Sequence, residues 1–312
     1  MNAGWRNAIR RGLPVAVSFA VLIALLADAD IDEMVAAITP RVAAVMLPAM
    51  LAFGAITLWI EAASILRLVP APPPGFGRWT AARIKCASYL PGVIHYTLGV
   101  AGLALLLRRR AGLPLAEAAG VVLTISSTDL LIVVSAAAIA SAVIGSASVA
   151  LQWGLVTVVV VGFFGGLALL RAPRSFGHLD RLRQLAIFDG LRRLPRRRLL
   201  DLLLLRLFFS VCFIAGCASA FAAFEVPAPP ALMVGGIMIM ALVAALPIAV
   251  AGLGTSQAAF VYIFADTAPP ERLLAMSLVL SFAILALRAA MGLVFARELT
   301  REVFDEARAA GA

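Results

Sequence analysis

Long apolar runs alternate along the chain with short polar breaks rich in arginine, and that alternation defines eight apolar elements. Spans 1 and 2 run roughly over 13–29 and 42–66, and element 3 covers about 79–107. Spans 4 and 5 cover about 115–145 and 149–170. Span 6 is about 199–224, element 7 about 231–265 and span 8 about 273–296. Apolar runs of about 18 residues or more read as membrane-spanning helices. Elements 3 and 7 do not fit that reading as single helices. Element 7, at about 35 residues, would be about 50 Å long against a hydrocarbon core of ~30 Å. It carries Pro247, Gly252 and Gly254 near its middle, and element 3 carries Pro91 and Gly92. Proline removes a backbone donor and clashes with the preceding turn, while glycine adds freedom. Each element is therefore expected to be two half-helices that meet at a break, entering and leaving on the same side.

The charges test this arrangement. With Arg6, Arg10 and Arg11 in the cytoplasm, span 1 delivers Asp28, Asp30, Asp32 and Glu33 outside, and span 2 returns to Arg67, Arg78, Arg83 and Lys85 inside. A re-entrant element 3 keeps Arg108, Arg109 and Arg110 inside. Spans 4 and 5 turn outside at the uncharged Gly145-Ser146. The next loop is then inside with Arg171, Arg174, Arg181, Arg183, Arg192, Arg193, Arg196, Arg197 and Arg198. A re-entrant element 7 keeps Glu225, Asp266, Glu271 and Arg272 outside, and span 8 returns the tail to the cytoplasm. Every strongly basic loop then lies on one side, as the positive-inside rule demands. Two full crossings would move the Arg108 triplet and the long basic loop outside.

The expected fold is an all-α polytopic membrane protein of six transmembrane helices plus two opposed re-entrant broken helices. Each half, about 13–145 and about 149–296, reads span, span, hairpin, span. Three crossings is an odd number, so the second half is inverted, and inverted repeats with broken central helices are a transporter architecture. The whole of 1–312 reads as one integral membrane domain. Within it, 171–198 is a cytoplasmic segment that interleaves leucine with arginine. A basic amphipathic helix on the inner leaflet and a plain topogenic loop are its two readings.

Composition narrows the class. The chain of 312 residues is 63% hydrophobic and 14% charged, with a net charge of +9, and its mean hydropathy is +1.02. A soluble domain could not hide that much apolar surface. The arginines sit between apolar runs, so the basic charge reads as topology and not as nucleic-acid binding. Cys86, Cys212 and Cys217 lie in or beside apolar runs without metal-ligand spacing, and read as buried thiols. Ala27-Asp28-Ala29 has the form of a signal-cleavage site after Arg6, Arg10 and Arg11, but a retained first span fits the topology better.

Candidate chemistry lies in the breaks and in intramembrane charge. In "LPIAVAGLGTSQAAF", the break at Gly252–Gly254 frees backbone groups. Thr255 or Ser256 can cap the following half-helix, whose N-terminus suits a phosphate or carboxylate. Gln257 adds a donor and an acceptor one turn in. A kink packed by small residues is the structural alternative. Element 3 offers Pro91, Gly92, His95 and Tyr96. His95 reads either as a histidine bonded to a neighbouring carbonyl or as a proton-relay or headgroup contact. Asp129 stands near the middle of span 4, close to Ser126, and a carboxylate there costs at least about 2.5 kcal/mol on insertion scales. Arg288, two-thirds through span 8, is its expected partner across a polar cavity. A purely structural ion pair is the alternative. Arg206 and Glu61 lie nearer the ends of spans 6 and 2 and can snorkel to the interface. No nucleophile elbow, zinc-binding histidine pair, phosphate-binding glycine loop or paired-carboxylate motif occurs, so neither enzyme activity nor a metal or cofactor is expected.

The stretches "SYLPGVIHYTLG", "RRRAGLPLAEAAGVVLTISSTDLL" and "ALPIAVAGLGTSQAA", followed by an arginine in the last span, occur in that order over about residues 80 to 290. In these the chain resembles the flippase-like transmembrane region of lysylphosphatidylglycerol synthases, without their aminoacyl-transferase domain. His95 and Tyr96 stand where the family usually has an acidic residue and an arginine. Ser126 and Ser127 stand where it often has an arginine, and Gln257 where it usually has a glutamate. The resemblance implies lipid handling without aminoacylation in the inner (plasma) membrane. The expected role is therefore translocation of an amphipathic lipid or lipid-linked headgroup, with Pro91, Gly92, His95, Tyr96, Ser126, Asp129, Gly252, Gly254, Thr255, Ser256, Gln257 and Arg288 lining the route. Membrane lipids with anionic headgroups are the expected partners, beside a homo-oligomer or a lipid-modifying enzyme. Transport of a small anionic solute and a non-transporting scaffold are the competing readings.

Overall fold

A computed structural model describes residues 23, 25–27, 29–70, 72–94, 96–144, 149–172, 180–181, 184–245 and 254–295. Among these residues the regular structure is helical, without a strand. The helices are α1 (Ile31–Ala36), α2 (Pro40–Leu68), α3 (Arg78–Ile94), α4 (Tyr96–Arg110), α5 (Leu115–Ile144) and α6 (Val149–Val160). They continue with α7 (Gly166–Arg171), α8 (Asp189–Arg193), α9 (Arg196–Ala223), α10 (Pro230–Ala245), α11 (Thr255–Ile263) and α12 (Pro270–Val294).

Among the described residues four helices are long and apolar enough to cross a membrane: Pro40–Leu68, Leu115–Ala142, Arg196–Ala223 and Pro270–Val294. They correspond to spans 2, 4, 6 and 8. Span 5 is α6 and α7 joined through a π-helical stretch, Val161–Gly165. Span 1 falls largely outside the described residues. Serines and threonines inside these helices bond back to the carbonyl four residues earlier. Thr57 donates to Phe53, Ser64 to Ile60, Thr124 to Gly120 and Thr128 to Thr124. That local bonding lets a hydroxyl sit in an apolar helix without a partner from elsewhere.

The chain divides into two compact units. One comprises 1–51, 133–155 and 213–284, the other 52–132, 156–212 and 285–312. Charge divides with them. Among the described residues the first unit holds Asp30, Asp32, Glu33, Glu225, Asp266 and Glu271 against Arg41 and Arg272. The second holds the basic stretches: Arg67, Arg78, Arg83 and Lys85; Arg108–Arg110; and the arginines of 171–198.

In the basic unit, α3 and α4 form a helical hairpin. Small residues bring the two backbones together: a Cβ built on Gly99 would lie 2.8 Å from the Gly92 Cα and 3.1 Å from the Ser88 carbonyl oxygen. Such small-residue contacts are how helices approach closely in membranes. Pro91 and Gly92 lie inside α3, which runs to Ile94, and α4 begins at Tyr96. Proline costs a membrane helix one backbone bond but does not end it when a neighbour packs alongside. In the acidic unit, α10 and α11 pack as a second hairpin, with Gly236 against the ring of Phe264 and the side chain of Ile263. The residues joining these two helices, with Pro247 and Gly252, lie outside the described ones.

The basic segment 171–198 does not form one amphipathic helix. Its described part includes a 3-10 turn at Ala186–Phe188, the short α8, and then the first turn of α9, which already contains Arg196–Arg198. Pro195 stands just before that turn, where its missing N–H matters least. The Arg171 guanidinium donates to the carbonyls of Leu191 at 3.1 Å and Leu194 at 2.5 Å. Gly120 leaves room for the carbonyl of Ile187. The segment is thus tied to the basic unit, and Leu194 is buried.

Candidate functional site

The basic unit contains a buried ionic cluster drawn from four helices. α2 supplies Glu61, α3 Lys85, α5 Asp129 and α9 Arg206. Counted from the nearer helix end at 1.5 Å per residue, these groups lie deep: Glu61 about 10 Å from the end of α2 and Arg206 about 15 Å from the start of α9. Arg206 is fully buried, with 0% of the residue exposed. Its guanidinium grips Asp129 with two parallel bonds, Nε to Oδ1 at 2.5 Å and Nη2 to Oδ2 at 2.7 Å. The same Nη2 donates to Glu61 Oε1 at 3.3 Å. Lys85 Nζ lies 3.2 Å from the other Glu61 oxygen. The guanidinium carbon also sits 4.3 Å from the ring centroid of Phe209. Fork-to-fork Arg–carboxylate geometry is the strongest arrangement open to such a pair, and removal from water is tolerable only with this degree of pairing.

Two carboxylates and two cations balance, so the quartet carries no net formal charge. Its members differ in access: side-chain exposure is 1% for Arg206, 6% for Glu61, 16% for Lys85 and 35% for Asp129. Hydrogen-bonding capacity is left over. Among the described residues Arg206 Nη1, 3.3 Å from Glu61 Oε1 as an ion pair, has no aligned acceptor, and Glu61 Oε2 has no aligned donor.

This geometry corrects the expected pairing of Asp129 with Arg288. Asp129 is paired to Arg206, while Arg288 is exposed and forms no ion pair among the described residues. The guanidinium of Arg288 instead lies 6.0 Å from the ring centroid of Tyr89, and Lys85 Nζ lies 5.5 Å from that same ring. Ser126 is half-buried one turn before Asp129. Glu61, Lys85, Tyr89 and Arg206 are the residues that sequence reasoning passed over. One signal pointed to them: carboxylates in two apolar runs, Glu61 and Asp129, demand cations, and Lys85, Arg206 and Arg288 are those the apolar runs offer.

Of the candidates in the first break, Pro91 and Gly92 lie in the α3–α4 contact, His95 is outside the described residues, and Tyr96 opens α4. In the second, Gly252 is outside them. Gly254 caps α11 with φ of 88°, a left-handed conformation that glycine adopts freely. Neither Thr255 nor Ser256 is the cap. The side chain of Gln257 reaches back, and its Oε1 accepts from the Gly254 N–H at 2.6 Å and from Ser256 Oγ at 3.2 Å. Its Nε2 donates to Ser281 Oγ of α12 at 3.1 Å. With 1% exposure and both ends engaged, Gln257 fastens the break. Thr255 Oγ1 is a buried atom without a partner among the described residues. Among the described residues no group of three or more His, Cys, Asp or Glu could hold a metal ion.

The family model described as "Lysylphosphatidylglycerol synthase TM region" matches residues 13–292. The chain belongs to that family. Neither a curated protein nor a solved structure matches it. The match takes in every member of the ionic cluster and both hairpins, and it gives the chain a membrane, lipid-related setting.

Proposed function

We propose that this membrane protein moves an amphipathic lipid, or a lipid-linked headgroup, between leaflets without chemical change to it. The observation that carries the reading is the buried Glu61–Lys85–Asp129–Arg206 quartet in a member of a lipid-related membrane family. Ionisable groups inside membrane helices are costly and tend to line a route for a polar cargo. Asp129 and Lys85 retain exposure, so a headgroup can exchange with the ion pairs while its tails stay in the bilayer. Re-entry of the two hairpins belongs to the same proposal. It is supported by charge: α3–α4 has basic residues at both its outer ends, Arg78 with Arg83 and Arg108–Arg110, all in one unit. The α10–α11 hairpin is flanked by Glu225 and by Asp266 with Glu271, all in the other. With two opposed re-entrant hairpins and six crossings, both termini are cytoplasmic.

The test is leaflet exchange of labelled lipids in proteoliposomes, comparing wild type with Asp129→Asn and Gly254→Leu. Exchange well above protein-free vesicles, lost in folded variants, is expected. No exchange with anionic, zwitterionic and glycosylated probes alike would overturn the reading and favour a carrier for a small anionic solute. Loss of function only on changing the arginines of 171–198 would point to a scaffold.

A further inference from the structure

We infer that Asp129 is a proton-binding site, and that filling it switches the Arg206 guanidinium from Asp129 to Glu61. Its use in transport, with the proton as the driving ion, rests on the lipid-translocation reading; the site itself stands on the geometry of the cluster. One arginine stands between two carboxylates and holds them unequally. Asp129 takes the two short bonds, at 2.5 Å and 2.7 Å, whereas Glu61 Oε1 lies 3.3 Å from both Nη1 and Nη2. Room for the other arrangement is already present. Among the described residues Nη1 has no aligned acceptor and Glu61 Oε2 no aligned donor. A shift of the guanidinium by about half an ångström toward Glu61 brings these loose contacts to charge-assisted bonding distance.

Access selects the carboxylate that meets the proton. The Asp129 side chain is 35% exposed, against 6% for Glu61 and 1% for Arg206. A carboxylate is not left against hydrocarbon, so the open side of Asp129 faces a wet route. Glu61 lies between two cations, Arg206 at 3.3 Å and Lys85 at 3.2 Å, and keeps its charge in either arrangement. Arginine does not give up its proton. Asp129 has one cation at bonding distance, and once that moves to Glu61 the carboxyl group is neutral, because a lone charge at such depth is too costly. Proton binding and arginine transfer are therefore one event. The charged and titratable groups around Asp129 are Arg206 from α9, Glu61 from α2 and Lys85 from α3, with Tyr89 one turn along α3 and Arg288 of α12 beyond it. α5 itself adds only Glu117, in its first turn. In the step, a proton from water bonds to Asp129 Oδ2, the Nη2–Oδ2 hydrogen bond breaks, and Nη1 and Nη2 close on Glu61. Oδ1 stays an acceptor for Nε, no N–H bond breaks, and the quartet gains one positive charge.

The experiment is infrared difference spectroscopy of the purified full-length chain in lipid nanodiscs, between neutral and mildly acidic pH. The band of a protonated carboxyl group should appear in wild type, vanish in Asp129→Asn and return at a shifted frequency in Asp129→Glu. Glu61→Gln removes the second acceptor and a neighbouring negative charge, so Asp129 keeps the arginine to itself and its band should need about tenfold more protons or more. Circular dichroism over the same range separates titration from unfolding, and the shift in Asp129→Glu assigns the band even if Asp129→Asn does not fold. No band that depends on Asp129, a band that appears only as the helices melt, or a midpoint unmoved in folded Glu61→Gln would each overturn the switch. Leaflet exchange of labelled lipid in proteoliposomes under an imposed proton gradient then tests the coupling. One proton per lipid should bias the lipid between leaflets by up to about tenfold per pH unit in wild type, and Asp129→Asn should show no bias. Lipid exchange without the Asp129 band overturns the proton site and leaves translocation standing. The band without any lipid exchange supports the site and overturns translocation, and exchange that ignores the gradient overturns the proton as driving ion.

Discussion

In the α3–α4 hairpin a glycine faces backbone, whereas in the α10–α11 hairpin a glycine faces an aromatic ring. Gly99 meets the Cα of Gly92 and the carbonyl of Ser88, and Lys85 one turn away reaches into an ionic cluster. Gly236 meets Phe264, which packs with Phe221 and Phe260 at centroid distances of 4.9 Å and 4.7 Å. The first hairpin is fixed by main-chain contact beside buried charge. The second is fixed by side-chain packing and one engaged amide, Gln257. Main-chain contact has no soft partner to give way, whereas ring packing can be re-cut.

The largest predicted effect tests the charged side of the contrast. Arg206→Met strands Asp129 and leaves Glu61 to Lys85 alone, and should lower stability by about 3–5 kcal/mol, the usual result of removing one partner from a buried pair. Thermal unfolding in detergent measures it. The double change to Arg206→Met and Asp129→Asn should recover much of that loss, because the charges that remain, Glu61 and Lys85, balance each other. In the acidic unit, Arg41 and Glu225 pair at 2.5 Å with more than half of each side chain exposed. Arg41→Gln there should change stability by no more than about 1 kcal/mol. Comparable losses at Arg206 and Arg41 would remove the distinction between the units.

The next effect separates the two glycines. Gly99→Ala and Gly236→Ala should each cost about 1–3 kcal/mol by overpacking. Phe264→Leu, which removes the ring that the new methyl meets, should relieve the second by a coupling of about 0.5–3 kcal/mol in a double-mutant cycle. No side-chain substitution at Ser88 relieves the first, because a carbonyl oxygen and a Cα form the obstacle. Relief of Gly99→Ala by Ser88→Ala would show that the hairpin backbone yields after all.

What could be read from the sequence follows the reach of each force. Hydropathy acts along the chain, so the spans now seen as α2, α5, α9 and α12 were legible to within a few residues. Arginine placement was legible as charge, and the basic stretches fall together in one unit. Asp129 was legible because a carboxylate at mid-span has no local remedy. Its partner was not, because pairing depends on how each helix is rotated about its axis, and neither hydropathy nor charge counting fixes rotation. Arg288 was favoured for its depth, while Arg206 was discounted as within reach of the interface, yet α9 turns it inward. Pro91 and Gly92 do not end α3, because α4 packs against it there through Gly99 and Gly102. The amphipathic reading of 171–198 missed Arg171, whose bonds to the Leu191 and Leu194 carbonyls draw the leucines toward the unit.

The smallest predicted effect lies in the second hairpin and concerns what Gln257 is for. Gln257→Ala removes the acceptor for the Gly254 N–H and the Ser256 hydroxyl and the donor to Ser281, three hydrogen bonds at a site with 1% exposure. Side-chain hydrogen bonds inside membrane proteins average only about 0.6 kcal/mol, with a maximum near 1.7, because the membrane-inserted unfolded state finds partners too. The expected loss is therefore about 1 kcal/mol in thermal unfolding, well below that of Arg206→Met. Gln257→Glu discriminates further. A carboxylate keeps the acceptor for Gly254, and the Ser281 hydroxyl can turn from accepting to donating, so stability should fall less than with alanine. If Gln257 instead contacts the cargo directly, the order reverses where it matters: Gln257→Glu adds a negative charge and should suppress exchange of anionic lipid while Gln257→Ala leaves it nearly intact. Equal exchange by both variants, with the stability order kept, would place Gln257 among the residues that hold the break in shape and leave cargo contact to the charged unit.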